Sequence, residues 1–431
     1  MRSRLVAWFE AGLAAIDLRR GEHDPRADEP LPGRDIERDT VDRLAIVALG
    51  KAGAALADRF GADLEDFEGL AITPDPPLVR PELWEHIAGG HPEPTLASFR
   101  AARRALELVG SLGGGDGVLF LVSGGGSSLM ELPIDPAIDL DDCRAFHRGL
   151  VRSGASIEAI NRVRAVASAV KGGRLAEAAA PARQWTVVVS DVPRGRPELV
   201  ASGPSFPPPV TDPAEVNAIL RRHDLVHTIP ERYRAWFAGL DRSTLALRDG
   251  TFDRSTFVTL VDNEDALRAI EARLNGDGFV TERLCLQEEA TVDDAVSLHL
   301  RAIEGLAERH PGEAVAIVSG GEVTVPVRGH PGIGGRNQSL VLAMALAIEG
   351  APLAFLSAGT DGIDGNSSAA GAVADGTTVA RARAAGCDPR SALSANDAGT
   401  LFASIGDAIV TGPTGNNVRD VRILVRPDDA R

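Results

Sequence analysis

Five apolar runs of strand length in this chain each break off into small polar residues, and that recurrence constrains the fold more than any other feature. Residues 118–133, VLFLVSGGGSSLMELP, show it most clearly. Val118, Leu119, Phe120, Leu121 and Val122 are apolar on both faces, which suits a parallel strand covered on both sides. Gly124, Gly125 and Gly126 follow, and N–H groups unshielded by a Cβ can curl round an anion. Ser123, Ser127 and Ser128 add hydroxyls. The same form recurs in LAIVALGKAG (44–53), TVVVSDVP (186–193), AVAIVSGGE (314–322) and LAFLSAGTDG (353–362). Ligands of open α/β sheets sit beyond the carboxyl ends of the strands, so these loops are expected to converge on a site. For any one glycine loop, a tight turn that binds nothing is the alternative.

At 431 residues the chain exceeds the size at which one core stops growing, so two domains are expected. The stretch FVTLVDNEDALRAIEARLNGDGF restarts a strand-then-helix pattern, which places the boundary near 245–255 and the domains at 1–248 and 249–431. The N-terminal stretch MRSRLVAWFEAGLAAIDLRR is interrupted by Glu10 and spaces Leu5, Phe9, Leu13 and Ile16 at a helical period. It reads as an amphipathic helix of the mature protein rather than a signal peptide. No apolar run approaches membrane-spanning length, so a cytoplasmic protein is expected. Cys143, Cys285 and Cys387 are odd in number and lack metal spacing, which fits a reducing interior without disulfides.

A net charge of −16 argues against binding a nucleic-acid backbone. Of 45 basic residues only Lys51 and Lys171 are lysine. Arginine in place of lysine, with excess Asp and Glu, fits a halophilic cytoplasm in which self-repulsion is screened, and GC-rich codon bias is the competing explanation. Either pressure removes dispensable lysines. The two that remain are therefore informative, because a compact ammonium differs from a planar guanidinium. Lys51 in a strand-end loop is the better candidate to face a phosphate, and Lys171, before Gly172 and Gly173, the weaker.

Residues 21–38 are charged and rich in Pro and Gly, as in a surface loop. His91 lies in the loop GGHPEPT, where backbone contacts or a substrate would satisfy it. The longest helical pattern is SGASIEAINRVRAVASAVKGGRLAEAA: Ile160, Val163, Ala167 and Val170 form an apolar face. Beside them Asn161, Arg164, Ser168 and Lys171 form a polar stripe, either solvated or facing a cleft. Asp191 ends a strand, where a carboxylate could hold Mg²⁺ or cap a turn. Residues 212–253 read as charged helices. Arg336, after Gly334 and Gly335, opens an apolar helix whose N–H groups already favour anions; pairing with a nearby carboxylate is its other reading. Asp361, Asp364 and Asp375 lie among glycines, a pattern for metal or hydroxyl binding and equally for turns. The C-terminal stretch DAIVTGPTGNNVRDVRILV reads as strand, turn, strand.

Glycine loops, scarce lysines, an arginine at a helix start and loop aspartates suit phosphoryl transfer, which needs charge neutralisation and in-line positioning. The loops include neither a GxxxxGK[ST] phosphate loop nor a GxGxxG dinucleotide fingerprint. The ordered series GKAG, GGHPEP, SGGGSSLM, SGASIEAIN, VKGGRLA, SDVP with SGP, SGGE, GGRNQ, GTDGIDG and TGPTGNNVRD resembles the glycerate 2-kinase family with its C-terminal MOFRL domain.

That resemblance implies an α/β fold, with a Rossmann-like, mostly parallel N-terminal domain, a smaller α/β MOFRL domain and an active site in the cleft between them. It implies ATP-dependent phosphorylation of D-glycerate at its 2-hydroxyl, with ATP and Mg²⁺ as cofactors. The expected partners are these small molecules, without nucleic acid or membrane, and a homodimer is an allowed assembly. The family's essential lysine and arginine match Lys51 and Arg336. With them, Asp191 is the expected third catalytic residue, and Asp191 and Asp361 the expected metal ligands. The expected nucleotide-binding set is Ser123, Gly124, Gly125, Gly126, Ser127, Lys171, Gly320, Gly321, Glu322 and Asn337. Two departures stand out. Relatives usually read VRKHLS where this chain has residues 163–168 as VRAVAS, and Gly-Asp-Asp where it has Arg194, Gly195 and Arg196. A hydroxypyruvate reductase and a non-catalytic nucleotide or sugar-acid binder are the alternatives.

Overall fold

A computed structural model describes residues 1–19, 41–62, 64, 66–208, 212–287, 290–325 and 332–428. The surface loop expected over 21–38 lies outside the described residues. The chain forms two compact units, Arg26–Leu260 and Met1–Pro25 with Val261–Arg431.

The first unit is built on a six-stranded sheet in the order β3-β2-β1-β4-β5-β6. Its strands are β1 (Leu44–Leu49), β2 (Glu68–Ile72), β3 (Trp84–His86), β4 (Gly117–Val122), β5 (Arg183–Val189) and β6 (Ser255–Val261). The pairings from β3 through β5 are all parallel. All six residues of β4 are buried, as its two-sided apolarity predicts. Chain order reverses between β1 and β4, so the loops after these strands flank a topological switch point, where doubly wound sheets bind ligands. Their apolar side chains join the helix Leu96–Gly110 through Ala101, Ala105 and Leu108 in one core. A second cluster, with Phe146 stacked on Tyr233 at 3.9 Å, binds the charged helices of residues 213–245 to the helix Ile157–Ala167.

The second unit carries a mixed sheet in the order β11-β10-β9-β12-β8-β7. Its strands are β7 (Val280–Leu284), β8 (Val315–Gly321), β9 (Ala354–Gly359), β10 (Gly371–Asp375), β11 (Ala408–Ile409) and β12 (Asp420–Arg426). β12 lies antiparallel between β8 and β9, with Asp420 opposite both Gly321 and Gly359. The carboxyl ends of β8 and β9 and the start of β12 therefore share one edge of the sheet.

Three expectations change. The N-terminal helix, Arg2–Ala15, belongs to the second unit: it buries Leu5, Trp8 and Phe9, with the Trp8 indole donating to Asp277 (2.8 Å) and Gly12 lying against Ile270. The unit boundary falls at 260/261 rather than 248/249, because β6 completes the first sheet before the helix Asn263–Gly276 begins. The helix expected across residues 153–179 is two helices, Ile157–Ala167 and Arg174–Ala179. Ser168 turns extended, Ala169 N–H donates to the Leu132 carbonyl (2.8 Å), and Gly172 and Gly173 take positive φ. Pairing with the 130–134 segment outweighs helical periodicity there.

Candidate functional site

In the first unit, β1 and β4 end in loops that are stitched together. Gly50 has φ +111°, and a Cβ on it would lie 2.4 Å from the Ser123 carbonyl oxygen, so only glycine fits. Lys51 N–H donates to Gly124 O (2.8 Å), and the Ser123 hydroxyl accepts from Ala52 N–H (3.0 Å) while donating to Leu49 O (3.2 Å). The exposed Lys51 side chain runs over Gly125, where a Cβ would stand 3.1 Å from its Cγ. Asp191, just past β5, packs on Gly124 so closely that a Cβ there would be 1.9 Å from its Oδ2. Three parallel strand ends thus deliver an ammonium, a bare backbone turn and a carboxylate to one place. His91 bonds Ser128 Oγ through Nδ1 (3.0 Å). Burial first, then the Lys51 charge, lowers its pKa, so the imidazole is neutral at pH 7.

The remaining glycine-loop residues face inward. Ser123 is buried with its hydroxyl bonded as above, Ser127 Oγ shares a hydrogen bond with Ser202 Oγ (2.9 Å), and Gly126 lies against Ala201 and Leu49. These residues shape the turn, and Gly124 and Gly125 are its parts nearest Lys51 and Asp191.

Lys171 is not a surface cation. It is 1% exposed, and its ammonium bonds the Glu131 carboxylate. Glu131 also accepts from the His147 Nε2–H (2.9 Å) and the Ser168 hydroxyl (2.6 Å). Nor is the polar stripe of residues 161–171 a solvated row: Asn161, Ser168 and Lys171 are buried on internal partners, Arg164 is partly buried, and of the four Asn161 borders a cavity. Glu131, Cys143 and His147 bring three metal-ligating side chains together. Lys171 already supplies the cation there, and burial, aided by Glu131, pushes the Cys143 thiol up to about 12 and keeps it protonated.

In the second unit Arg336 opens the helix Arg336–Ala347. Its Nε and Nη2 donate to the two Asp420 carboxylate oxygens (2.6 and 3.0 Å), and Nη2 also donates to Glu322 (2.9 Å). The carboxylate reading of Arg336 therefore holds, with two carboxylates at once. Burial alone would lower its pKa, but Asp420 outweighs it and raises the value. For Glu322, burial raises the pKa against the pull of Arg336. Arg422, fully buried, donates to the Gly320 and Gly321 carbonyls (2.8 and 3.0 Å), so in this turn it is carbonyl oxygens that meet a cation. Asp361 Oδ1 and Asp420 Oδ1 approach a common point over Gly359, at 3.1 and 3.5 Å from its would-be Cβ. Asp375 and Asp361 both act as turn formers, accepting from the N–H groups of Thr377 (2.9 Å) and Ile363 (3.2 Å) two residues on.

The helix start is also occupied. Asn337 and Gln338 N–H donate to Asp364 (3.0 and 2.8 Å), and the Asn337 side chain is buried on Asp364 and Ser357. Asn337 therefore holds the helix end, and the anion at the helix N-terminus is the chain's own. Burial raises Asp364 to about 6 despite those two backbone bonds. A raised folded pKa means stability that is full below the unfolded value near 3.9 and lost as pH rises through about 6. Replacing Asp364 with Asn should remove this falling contribution and shift the slope of unfolding free energy against pH, between 4 and 6, in the positive direction; an unchanged slope would reject this reading.

Asp420 and Arg422 have no role in the sequence reading, and Asp364, expected to bind a metal or hydroxyl or to form a turn, instead holds the start of the Arg336 helix. Asp420 and Arg422 sit two apart on one face of a strand whose residues 421 and 423–425 are apolar, a polar pair that could have flagged them. Exchanging Asp420 for Asn should cost about 2 kcal/mol, because a charge-assisted bidentate bond becomes a neutral one. Urea unfolding would show it as a lower midpoint at constant slope.

A doubly wound sheet with a lysine and a glycine turn at its switch point, followed by a mixed α/β unit, defines a two-domain α/β class of protein. Residues 4–238 match the family described as "Domain of unknown function (DUF4147)", and residues 315–420 match the MOFRL family. The chain is 36% identical to a D-glycerate 2-kinase of Thermotoga maritima, covering 89% of this chain and 90% of that one. It is 32% identical to a glycerate 2-kinase of Pyrococcus horikoshii, covering 89% and 87%. A protein of Agrobacterium vitis carrying the provisional name hydroxypyruvate reductase is 38% identical, covering 89% and 87%. A crystal structure described as glycerate kinase from Thermotoga maritima superposes with a TM-score of 0.77 at 30% identity, covering 99% of both chains. The chain belongs to the glycerate 2-kinase family.

Proposed function

We propose that this protein is an ATP-dependent kinase that phosphorylates D-glycerate at its 2-hydroxyl. The observation that carries the reading is the Lys51 turn: an exposed ammonium beside the bare Gly124–Gly125 backbone and the Asp191 carboxylate, at the switch point of the first sheet. Phosphoryl transfer is catalysed mainly by positioning and charge neutralisation, and this arrangement offers both. Lys51 would bind the transferring phosphoryl oxygens, with the turn amides beside it. Asp191 would hold Mg²⁺ or take the proton of the attacking hydroxyl. Mg²⁺ typically sits on one or two carboxylates plus nucleotide phosphates, so a single aspartate at the turn fits it, and when bound it would neutralise phosphate charge. Arg336 and Asp361 are the corresponding proposals in the second unit. No helix among the described residues is long and apolar enough to cross a membrane.

A coupled assay for ADP release across small hydroxy acids, run from low to high salt, tests the reading. Release that depends on D-glycerate, with phosphorus NMR placing the phosphate on the 2-oxygen, is expected. NADH oxidation with hydroxypyruvate and no ADP release would replace the kinase with the reductase. Tight binding of nucleotide or glycerate with neither reaction would leave a binding homologue. Phosphate on the 3-oxygen would keep the kinase and correct its position.

A further inference from the structure

Besides the Lys51 turn, the first unit holds a cavity of about 690 Å³, within the usual size of small-molecule sites. Val166, Leu199, Phe206, Leu247 and Phe252 give it an apolar lining, and Asn161, Ser202 and Arg174 contribute polar groups. Most charges around it are already matched. Glu158 accepts from Arg162 and Arg196 (3.3 and 3.2 Å), Glu198 from Arg196 (2.5 Å), and Asp212 from Arg242 (2.8 Å).

Arg174 differs from these. Among the described residues its hydrogen bonds go to the backbone carbonyls of Ala165 (2.6 Å), Thr244 (3.4 Å) and Lys171 (3.5 Å), and none goes to a carboxylate. A guanidinium has five N–H donors, so at least two remain for another acceptor. Burial lowers its pKa, and the nearby Glu177 offsets this only in part. The Glu177 carboxylate is itself engaged by Arg248 N–H (2.7 Å). A half-desolvated cation held only by carbonyl dipoles, in the wall of a largely apolar cavity, is matched by an anion with an apolar body.

We propose that this cavity is a second binding site, for a small organic phosphate or carboxylate whose charge is met by Arg174. Its occupancy would reach the glycine turn through Ser202. That residue lines the cavity, bonds Ser127 Oγ (2.9 Å) and donates to Asn161 Oδ1 (2.9 Å). Ala201 and Ser202 hold φ of 51° and 62°, a left-handed conformation costly for residues with a Cβ, and Ala201 packs directly on Gly126. Such a conformation persists only while its surroundings hold it, so a changed contact at Ser202 bears directly on it. The effect on turnover rests on the kinase reading, whereas binding itself does not.

Calorimetric titration of the full chain with 3-phosphoglycerate, AMP and inorganic phosphate tests this. Saturable binding of at least one organic phosphate is expected, tighter than inorganic phosphate. Binding of 3-phosphoglycerate alone would identify a phosphorylated-acid site, and binding of AMP alone a nucleotide site. Arg174→Gln should weaken it at least tenfold. Ala246→Trp, which narrows the cavity from its rim and keeps Arg174, should do the same if the glutamine variant fails to fold. Lys51→Ala should bind as the unaltered protein does. Absence of saturable binding would overturn the proposal, as would binding that survives both cavity variants or disappears with Lys51→Ala. An inactive protein that nonetheless shows the expected binding would count against the kinase and for the cavity.

Discussion

Replacing Lys51 with alanine should lower kcat/KM for glycerate phosphorylation by roughly 10³-fold, in the range seen when one cation or oxyanion donor is removed from a phosphoryl or acyl transfer site. Melting temperature should not move. The stitching of the loop uses the Lys51 backbone N–H and the Ser123 hydroxyl, and the Lys51 side chain is exposed. Alanine keeps the backbone bond and removes the ammonium together with the stem that runs over Gly125. Lys51→Arg should recover little, since a planar guanidinium cannot present the same compact charge over Gly125. Activity within threefold of the unaltered protein in the alanine variant would remove Lys51 from the mechanism.

Lys171→Met should destabilise the first unit by about 3–5 kcal/mol, the usual effect of leaving a buried charge without its partner. The abandoned charge is Glu131: burial raises its pKa, but Lys171 and then His147 outweigh it, so the folded carboxylate stays ionised. Adding Glu131→Gln to Lys171→Met should recover most of the loss, because the orphaned charge disappears. The network also sets an acid limit. Burial, against the pull of Glu131, lowers the His147 pKa, so the stability of its neutral form is lost as pH falls below about 6.5, the unfolded value. The depressed Glu131 adds a further loss below about 4.3. Urea unfolding of the unaltered protein and of the single and double variants at about pH 7, 5 and 3.5 would measure all of this. A single-variant loss under 1 kcal/mol would contradict the assignment.

The two lysines show how far inference from composition reaches. In a chain that otherwise uses arginine, each surviving lysine marks a place where a guanidinium does not serve. Composition marks both positions alike, although one ammonium lies exposed on a glycine turn and the other is sealed against a glutamate. The difference lies in where residues 130–134 run, since they pair with 167–169 and carry Glu131 to Lys171. Asn337 is similar. Its place at a helix start is legible, but its partner Asp364 lies 27 residues away. Arg336 and Asp420 are separated by 84 residues and meet only because β12 inserts between β8 and β9.

Strand-then-glycine repetition by itself determined the α/β class, the parallel first sheet and the loops at its switch point, because two-sided apolarity and the absence of a Cβ act within a few neighbouring residues. Tertiary structure alone decided the unit that receives the N-terminal helix, the burial of Lys171 and the carboxylates that hold Arg336. Those outcomes depend on which distant segments come to lie side by side, and electrostatic pairing and desolvation take their size from that proximity rather than from residue type.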